Sequence, residues 1–130
     1  MIVVDSSAVI AILWHEVEAT RFAEAIAASD RALIAAPNAL ELYMVCVGRT
    51  TIEVGDDAMR LLDKLNIQIA PFDSRLATLA RTAYLRFGKG RHKAALNFGD
   101  CMSYALAKSL DAPLLYKGGD FARTDIRPAA

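Results

Sequence analysis

Four short apolar runs punctuate the chain: Met1-Ile2-Val3-Val4, Ala32-Leu33-Ile34-Ala35, Ile67-Gln68-Ile69-Ala70 and Leu114-Leu115-Tyr116. Each has the length and β-branched or apolar character of a strand, and the first is continuous, as in a strand buried on both faces. The segments between them are long enough for helices. Strands separated by helical crossovers imply an α/β fold with a mostly parallel central sheet and helices on both faces. A length of 130 residues suits one domain spanning 1–130, and 55% apolar residues suffice for a core without disulfides or structural metals.

Helix signals fill the gaps. Ser6 and Ser7 supply cap chemistry for a helix over Ala8 to Trp14, and an amphipathic helix runs from Glu16 to about Ala28. Asn38 caps a helix to about Gly48, and a further helix covers Glu53 to Leu65. Asp73 or Ser74 caps the next, with Leu76, Leu79, Ala80, Ala83 and Tyr84 facing inward. Between Arg86 and Asn97 the periodicity breaks, and Asn97 or Gly99 opens the last helix, to about Leu110.

Asp5, Glu41, Asp100 and Asp120 each stand beside a start-of-helix signal, spread over 115 positions of sequence. In open parallel sheets, ligands bind outside the carboxyl ends of the strands, where such acids can meet. Each also has a structural explanation. Asp5 can cap the helix after the first strand, and Asp120, after two glycines, can be a turn residue. Asn38-Ala39-Leu40-Glu41 and Asn97-Phe98-Gly99-Asp100 both have capping-box spacing. The joint pattern points further, because the helices opened by Glu41 and Asp100 are otherwise mainly apolar and belong in a buried setting. Like charges about 4 Å apart repel by roughly 4 kcal/mol at an effective dielectric near 20. A divalent cation relieves that repulsion, and an oxygen-only ligand set favours Mg²⁺ or Mn²⁺ over zinc.

The net charge of zero conceals unlike halves. Residues 1–85 carry 7 Lys/Arg against 11 Asp/Glu, whereas residues 86–130 carry 8 against 4. Such asymmetry fits either an anionic partner or internal ion pairing. Lys89, Arg91, His92 and Lys93 form a basic segment whose Gly88-Lys89-Gly90 lacks the spacing of a phosphate-binding P-loop. Cys46 and Cys101 lie in apolar helical patterns, and no secretory signal precedes the first strand. Both observations point to a reducing, cytoplasmic setting, and the longest apolar stretches fall short of the roughly 18 residues a membrane helix requires.

Ile2-Val3-Val4-Asp5-Ser6-Ser7-Ala8, Pro37-Asn38-Ala39-Leu40-Glu41, Asn97-Phe98-Gly99-Asp100-Cys101 and Lys117-Gly118-Gly119-Asp120-Phe121 together resemble the PIN-domain ribonucleases, in particular the VapC toxins. The most specific element is Asn-Phe-Gly-Asp-Cys followed by Tyr104-Ala105-Leu106-Ala107. The resemblance implies a metal-dependent endoribonuclease that hydrolyses RNA with a metal-activated water and is restrained by a cognate VapB-type antitoxin, commonly as a homodimer. It implies Asp5 and Asp100 as principal Mg²⁺ ligands, Glu41 and Asp120 completing the cluster directly or through water, and Ser7 as a water-orienting or supporting hydroxyl. Gly119 departs from the pattern, since many relatives have an acid or Asn before the last Asp. Two other readings differ in kind: a non-catalytic PIN-fold interaction domain, and a phosphoaspartyl phosphatase or receiver-like protein. The last lacks its partners, because Ser7 stands where such a phosphatase places a second Asp.

Overall fold

The computed structural model describes residues 1–130. Strands β1 (Ile2–Val4), β2 (Ala32–Ala35), β3 (Ile67–Ala70) and β4 (Leu114–Leu115) form one sheet of order β3-β2-β1-β4, parallel throughout. Helices α1 (Ser6–Leu13) and α2 (Ala19–Ala28) link β1 to β2, and α3 (Ala36–Arg49) and α4 (Ile52–Lys64) link β2 to β3. Helices α5 (Ser74–Phe87) and α6 (Phe98–Ser109) return the chain to β4, on the other side of β1.

Strand side chains alternate between two cores. Val3 and Leu33 pack with α5 and α6, whereas Ile2, Val4 and Ile34 pack with α1 to α4. Val3, Val4 and Ile34 are wholly buried, and each such side chain stabilises the fold by about 1.5–3 kcal/mol. Burial on both faces explains why the runs read as continuous rather than alternating. Because β4 joins the sheet on the opposite side of β1 from β2, the direction of winding reverses there. The crevice at such a switch point is where open α/β sheets bind ligands, and Asp5 immediately follows β1.

Several local expectations are corrected. Helix α1 begins at Ser6 with Asp5 as its cap, because Asp5 Oδ2 accepts the Ser7 N–H at 3.1 Å. Helix α2 begins three residues later than expected, at Ala19. Helix α3 starts at Ala36 with Ala35 as its N-cap, which places Asn38 inside the first turn, fully buried, rather than at the cap. Pro37 opens that turn as proline commonly does, since its missing N–H is an orphan there anyway. Tyr84 is 47% exposed instead of core-facing, and the Arg91 guanidinium lies 5.9 Å from its ring centroid. Both cysteines are free and buried, and no helix is long and apolar enough to cross a membrane.

Candidate metal-binding active site

Three chain segments converge on Asp5. Its backbone N–H reaches Leu115 O at 2.9 Å, tying the end of β1 to β4. Ser103, one turn after Asp100 on α6, donates its hydroxyl to Asp5 Oδ1 at 2.5 Å. Ser7 donates to Asp5 Oδ2 at 2.6 Å and accepts the Lys117 N–H at 3.0 Å. Asp5 is only 4% exposed. Burial pushes its carboxyl above the ordinary range, the donors Ser103 and Ser7 partly offset this, and the charge of Glu41 adds to the rise.

Glu41 projects from α3 toward the start of α6. It accepts Ser6 Oγ at 2.6 Å, and Asn38 Nδ2 donates to Gly99 O at 2.9 Å and more distantly to Glu41 Oε1 at 3.4 Å. A Cβ on Gly99 would lie 2.1 Å from Glu41 Oε2, so glycine is what allows this carboxylate to rest on the α6 backbone. The capping box expected at Asn38–Glu41 is therefore replaced by a bridge between two helix starts.

Asp100 does belong to a capping box. Asn97 Oδ1 accepts the Asp100 N–H at 2.9 Å, and Asp100 Oδ2 accepts the Asn97 N–H at 3.0 Å. Its carboxyl is nonetheless raised to about 7: burial dominates, the Asn97 bond opposes it, and the charges of Asp5, Asp120 and Glu41 push it higher. Asp100 thus lies within electrostatic reach of the other three acids. Asp120, by contrast, is exposed, at the turn into a 3₁₀ segment (Phe121–Arg123), and makes no side-chain cap bond.

No three acids are yet arranged to hold an ion together. The buried Asp5 and the half-buried Glu41 and Asp100 are each committed to donors of their own. The donor set still suits a hard divalent cation: it is all oxygen, and the fully buried Asn38 Oδ1 has no partner beside Glu41. Asp5, Glu41, Asp100 and Asp120, the acids expected from the sequence, are the residues that would hold such an ion.

Ser103 escaped the sequence reading, although a lone hydroxyl one turn after Asp100, in the apolar run Met102 to Ala107, was the available signal. Ser103→Ala should lower metal affinity about 10–100-fold, the usual scale for a group supporting a ligand. Calorimetric Mn²⁺ titration checks this, and unchanged affinity would leave Ser103 a packing residue. His92 serves the loop instead of the site: its Nδ1 accepts the Ala94 N–H at 3.0 Å, and its ring meets Phe87 edge-on at 5.2 Å.

An open parallel sheet with Asp5 at its switch point and further acids at adjacent helix starts has the general arrangement of an α/β ligand site. Comparison with known proteins narrows it. The family model described as PIN domain matches residues 2–127. VapC ribonuclease Mb2780c of Mycobacterium bovis is 42% identical over 98% of both chains, and ribonuclease VapC30 of Mycobacterium tuberculosis is 40% identical over the same shares. Among solved structures, the crystal structure of Mycobacterium tuberculosis VapC20, described as a sarcin-ricin loop cleaving toxin, covers 97% of this chain and 96% of its own with a TM-score of 0.78 at 15% identity. Likewise, VapBC2 from Rickettsia felis, bound to a promoter DNA fragment, gives 0.73 at 17% identity over 98% and 96%. These two show the fold. The chain belongs to the PIN-domain family and, within it, to the VapC ribonucleases, whose members are metal-dependent.

Proposed function

We propose that this chain is a Mg²⁺-dependent endoribonuclease, the toxin of a VapBC-type pair, that accepts Mn²⁺ as a substitute and cuts RNA to leave a 5′-phosphate on the downstream fragment. Membership of the VapC ribonucleases supports RNA as substrate and a cognate VapB-type antitoxin and a second copy of the chain as partners. The observation that supports the site assignment is the meeting of three segments at the start of α6: Ser103, one turn after Asp100, donates to Asp5, and the Glu41 carboxylate rests against Gly99 beside Asp100.

In this reading Asp5 and Asp100 are the principal ligands, with Glu41 and Asp120 completing the set. When bound, the cation supplies charge to offset that developing on the phosphodiester, together with a more acidic water. The chain supplies the geometry. Ser7 and Ser103 donate from opposite sides and fix the plane of the Asp5 carboxylate, while Ser6 and Asn38 hold Glu41 across the start of α6.

The test is incubation of structured RNA with the protein in Mg²⁺ and in chelator, followed by mapping of the product ends. Cleavage that requires the ion and leaves 5′-phosphates is expected. Cleavage persisting in chelator, or cyclic phosphate ends, would overturn the reading.

Two further outcomes follow. An Asp100 carboxyl raised to about 7 makes protons compete with the ion, so affinity should fall by up to about tenfold per pH unit below 7 and level off above it. Binding at pH 7 should release about half a proton from Asp100, measurable by calorimetry in buffers of different ionisation enthalpy; buffer-independent heats would contradict it. The sign for folding of the metal-free protein is the opposite. A raised carboxyl contributes stability to the metal-free protein that is present below its unfolded pKa and lost as pH rises through about 7.

Neutralising Lys89, Arg91 and Lys93, all exposed, should weaken RNA binding and reduce its salt dependence by up to about one unit of slope for each phosphate-binding charge removed. An unchanged slope in a salt titration would exclude the loop from the RNA path.

A further inference from the structure

The first residue of α6, Phe98, is 79% exposed and stands two positions before Asp100. A lone exposed ring needs no explanation, but this one has company. It divides two grooves. One, of about 430 Å³, lies against α3 and is lined by Leu40, Glu41 and Met44; the other, of about 290 Å³, lies against α5 and is lined by Arg81 and Tyr84. Leu40 and Met44 are 59% and 61% exposed. Because Glu41 lines the first groove, whatever fills that groove also touches the acid cluster.

The charge on this side is one-sided. From Ser74 to Gly99 there are six Lys/Arg and no Asp or Glu. Only Arg86 among the six pairs with a carboxylate, Asp125 at 3.7 Å. Arg81 has no acidic partner, and Arg91 lies over the Tyr84 ring while its Nε donates to the Leu85 carbonyl at 3.2 Å. Arg81 and the exposed Phe98 ring thus line one groove, and Phe98 also lines the neighbouring groove that Glu41 borders.

An occupant must satisfy both features. A purely apolar protein segment would use Leu40, Met44 and Phe98 and leave the cations uncompensated. An unpaired nucleotide carries a π-face and a negative phosphate in one unit, and stacking on aromatic rings beside a basic track is how single strands are held.

We infer that Phe98 is a stacking platform for an unpaired base of the RNA substrate next to the cut phosphate, with Arg81 and Arg91 holding the neighbouring backbone. The inference rests on the ribonuclease reading and deepens it. The platform selects unpaired RNA, because in a duplex both faces of a base are covered by its neighbours. It also makes Phe98 a determinant of where the strand is cut.

The experiment is fluorescence anisotropy in chelator, with a short unpaired oligoribonucleotide and a blunt duplex of equal length. It compares the wild-type protein with Phe98→Ala, Phe98→Trp and Arg81→Gln, and sedimentation in the same buffer reports mass. Phe98→Ala should weaken unpaired RNA by about 5- to 100-fold and Phe98→Trp should retain affinity, while the duplex responds to neither. Arg81→Gln should weaken binding and flatten its salt dependence. Phe98→Ala binding within twofold of wild type would overturn the inference, as would a loss of binding that merely follows dissociation of a wild-type dimer. Wild-type protein that cleaves RNA while Phe98→Ala binds normally defeats the platform alone. Wild-type protein that neither binds nor cleaves RNA defeats the ribonuclease reading as well.

Discussion

Asp5→Asn should reduce RNA cleavage by more than about 100-fold while leaving the protein folded. Groups that merely support a metal ligand already contribute about 10–100-fold, and Asp5 is assigned as a ligand itself. The fold should survive because the amide keeps the shape and the hydrogen-bonding capacity of the carboxyl. Its oxygen can still accept the Ser7 N–H and hydroxyl and so cap α1, and its NH₂ can donate to the hydroxyl oxygen of Ser103, which now faces it. Stability should hold or rise in the metal-free protein, because a carboxyl strained by burial is replaced by a neutral group. Thermal melting in chelator, alongside cleavage assays, separates the two effects. A variant that melts normally and still cuts RNA would remove Asp5 from the site.

Gly99→Ala should be almost as damaging by a different route. The added methyl would fall 2.1 Å from Glu41 Oε2 and 2.7 Å from its Cδ, and real Cβ atoms do not approach so closely. The atoms in the way are the end of a flexible side chain, so the backbone need not move. Glu41 swings away instead, giving up the Ser6 hydroxyl and its place beside Asp100. Helix α6 meanwhile gains alanine for glycine, worth up to about 1 kcal/mol in a helix interior and less in a first turn. The expected result is a melting temperature close to that of the parent, with metal affinity and cleavage both reduced by about 10–100-fold or more. A variant with undiminished metal binding would show that Glu41 takes no part. A steep fall in melting temperature would show instead that Gly99 serves the packing of α3 against α6.

Strands β1 and β2 were legible because burial on both faces leaves short unbroken apolar runs with few alternatives, whereas β3, an edge strand with only Ile67 buried, was legible from its two isoleucines and the Pro71 that follows it. The acids were legible as helix-start residues for a related reason: strand ends and helix starts adjoin in a parallel sheet, so an acid at either is carried to the same edge. Identical spacing did not mean identical structure. Asn97 and Asp100 close a capping box, but Asn38 and Glu41 do not, because Pro37 takes the first turn of α3 and carries Asn38 inside the helix. Periodicity alone could not have separated them. Spacing alone puts Tyr84 on the inward face, whereas its ring is drawn to the surface beside Arg91. Ser103 shows the opposite failing, since attention to apolar positions passed over the hydroxyl that donates to Asp5 from 98 residues away. Long-range contacts of this kind leave no local pattern. Asp120 remains the least constrained of the four acids, exposed and uncapped, as its neighbour Gly119 suggested.

The central claim is that acids scattered along the chain form one metal site. Calorimetric titration of Mn²⁺ into the wild-type protein and into Asp5→Asn, Glu41→Gln, Asp100→Asn and Asp120→Asn tests it most directly. A shared site predicts that every substitution weakens the same binding event, most strongly for Asp5 and Asp100, with no second event left unchanged. Wild-type binding that persists with equal affinity in both Asp5→Asn and Asp100→Asn would contradict it.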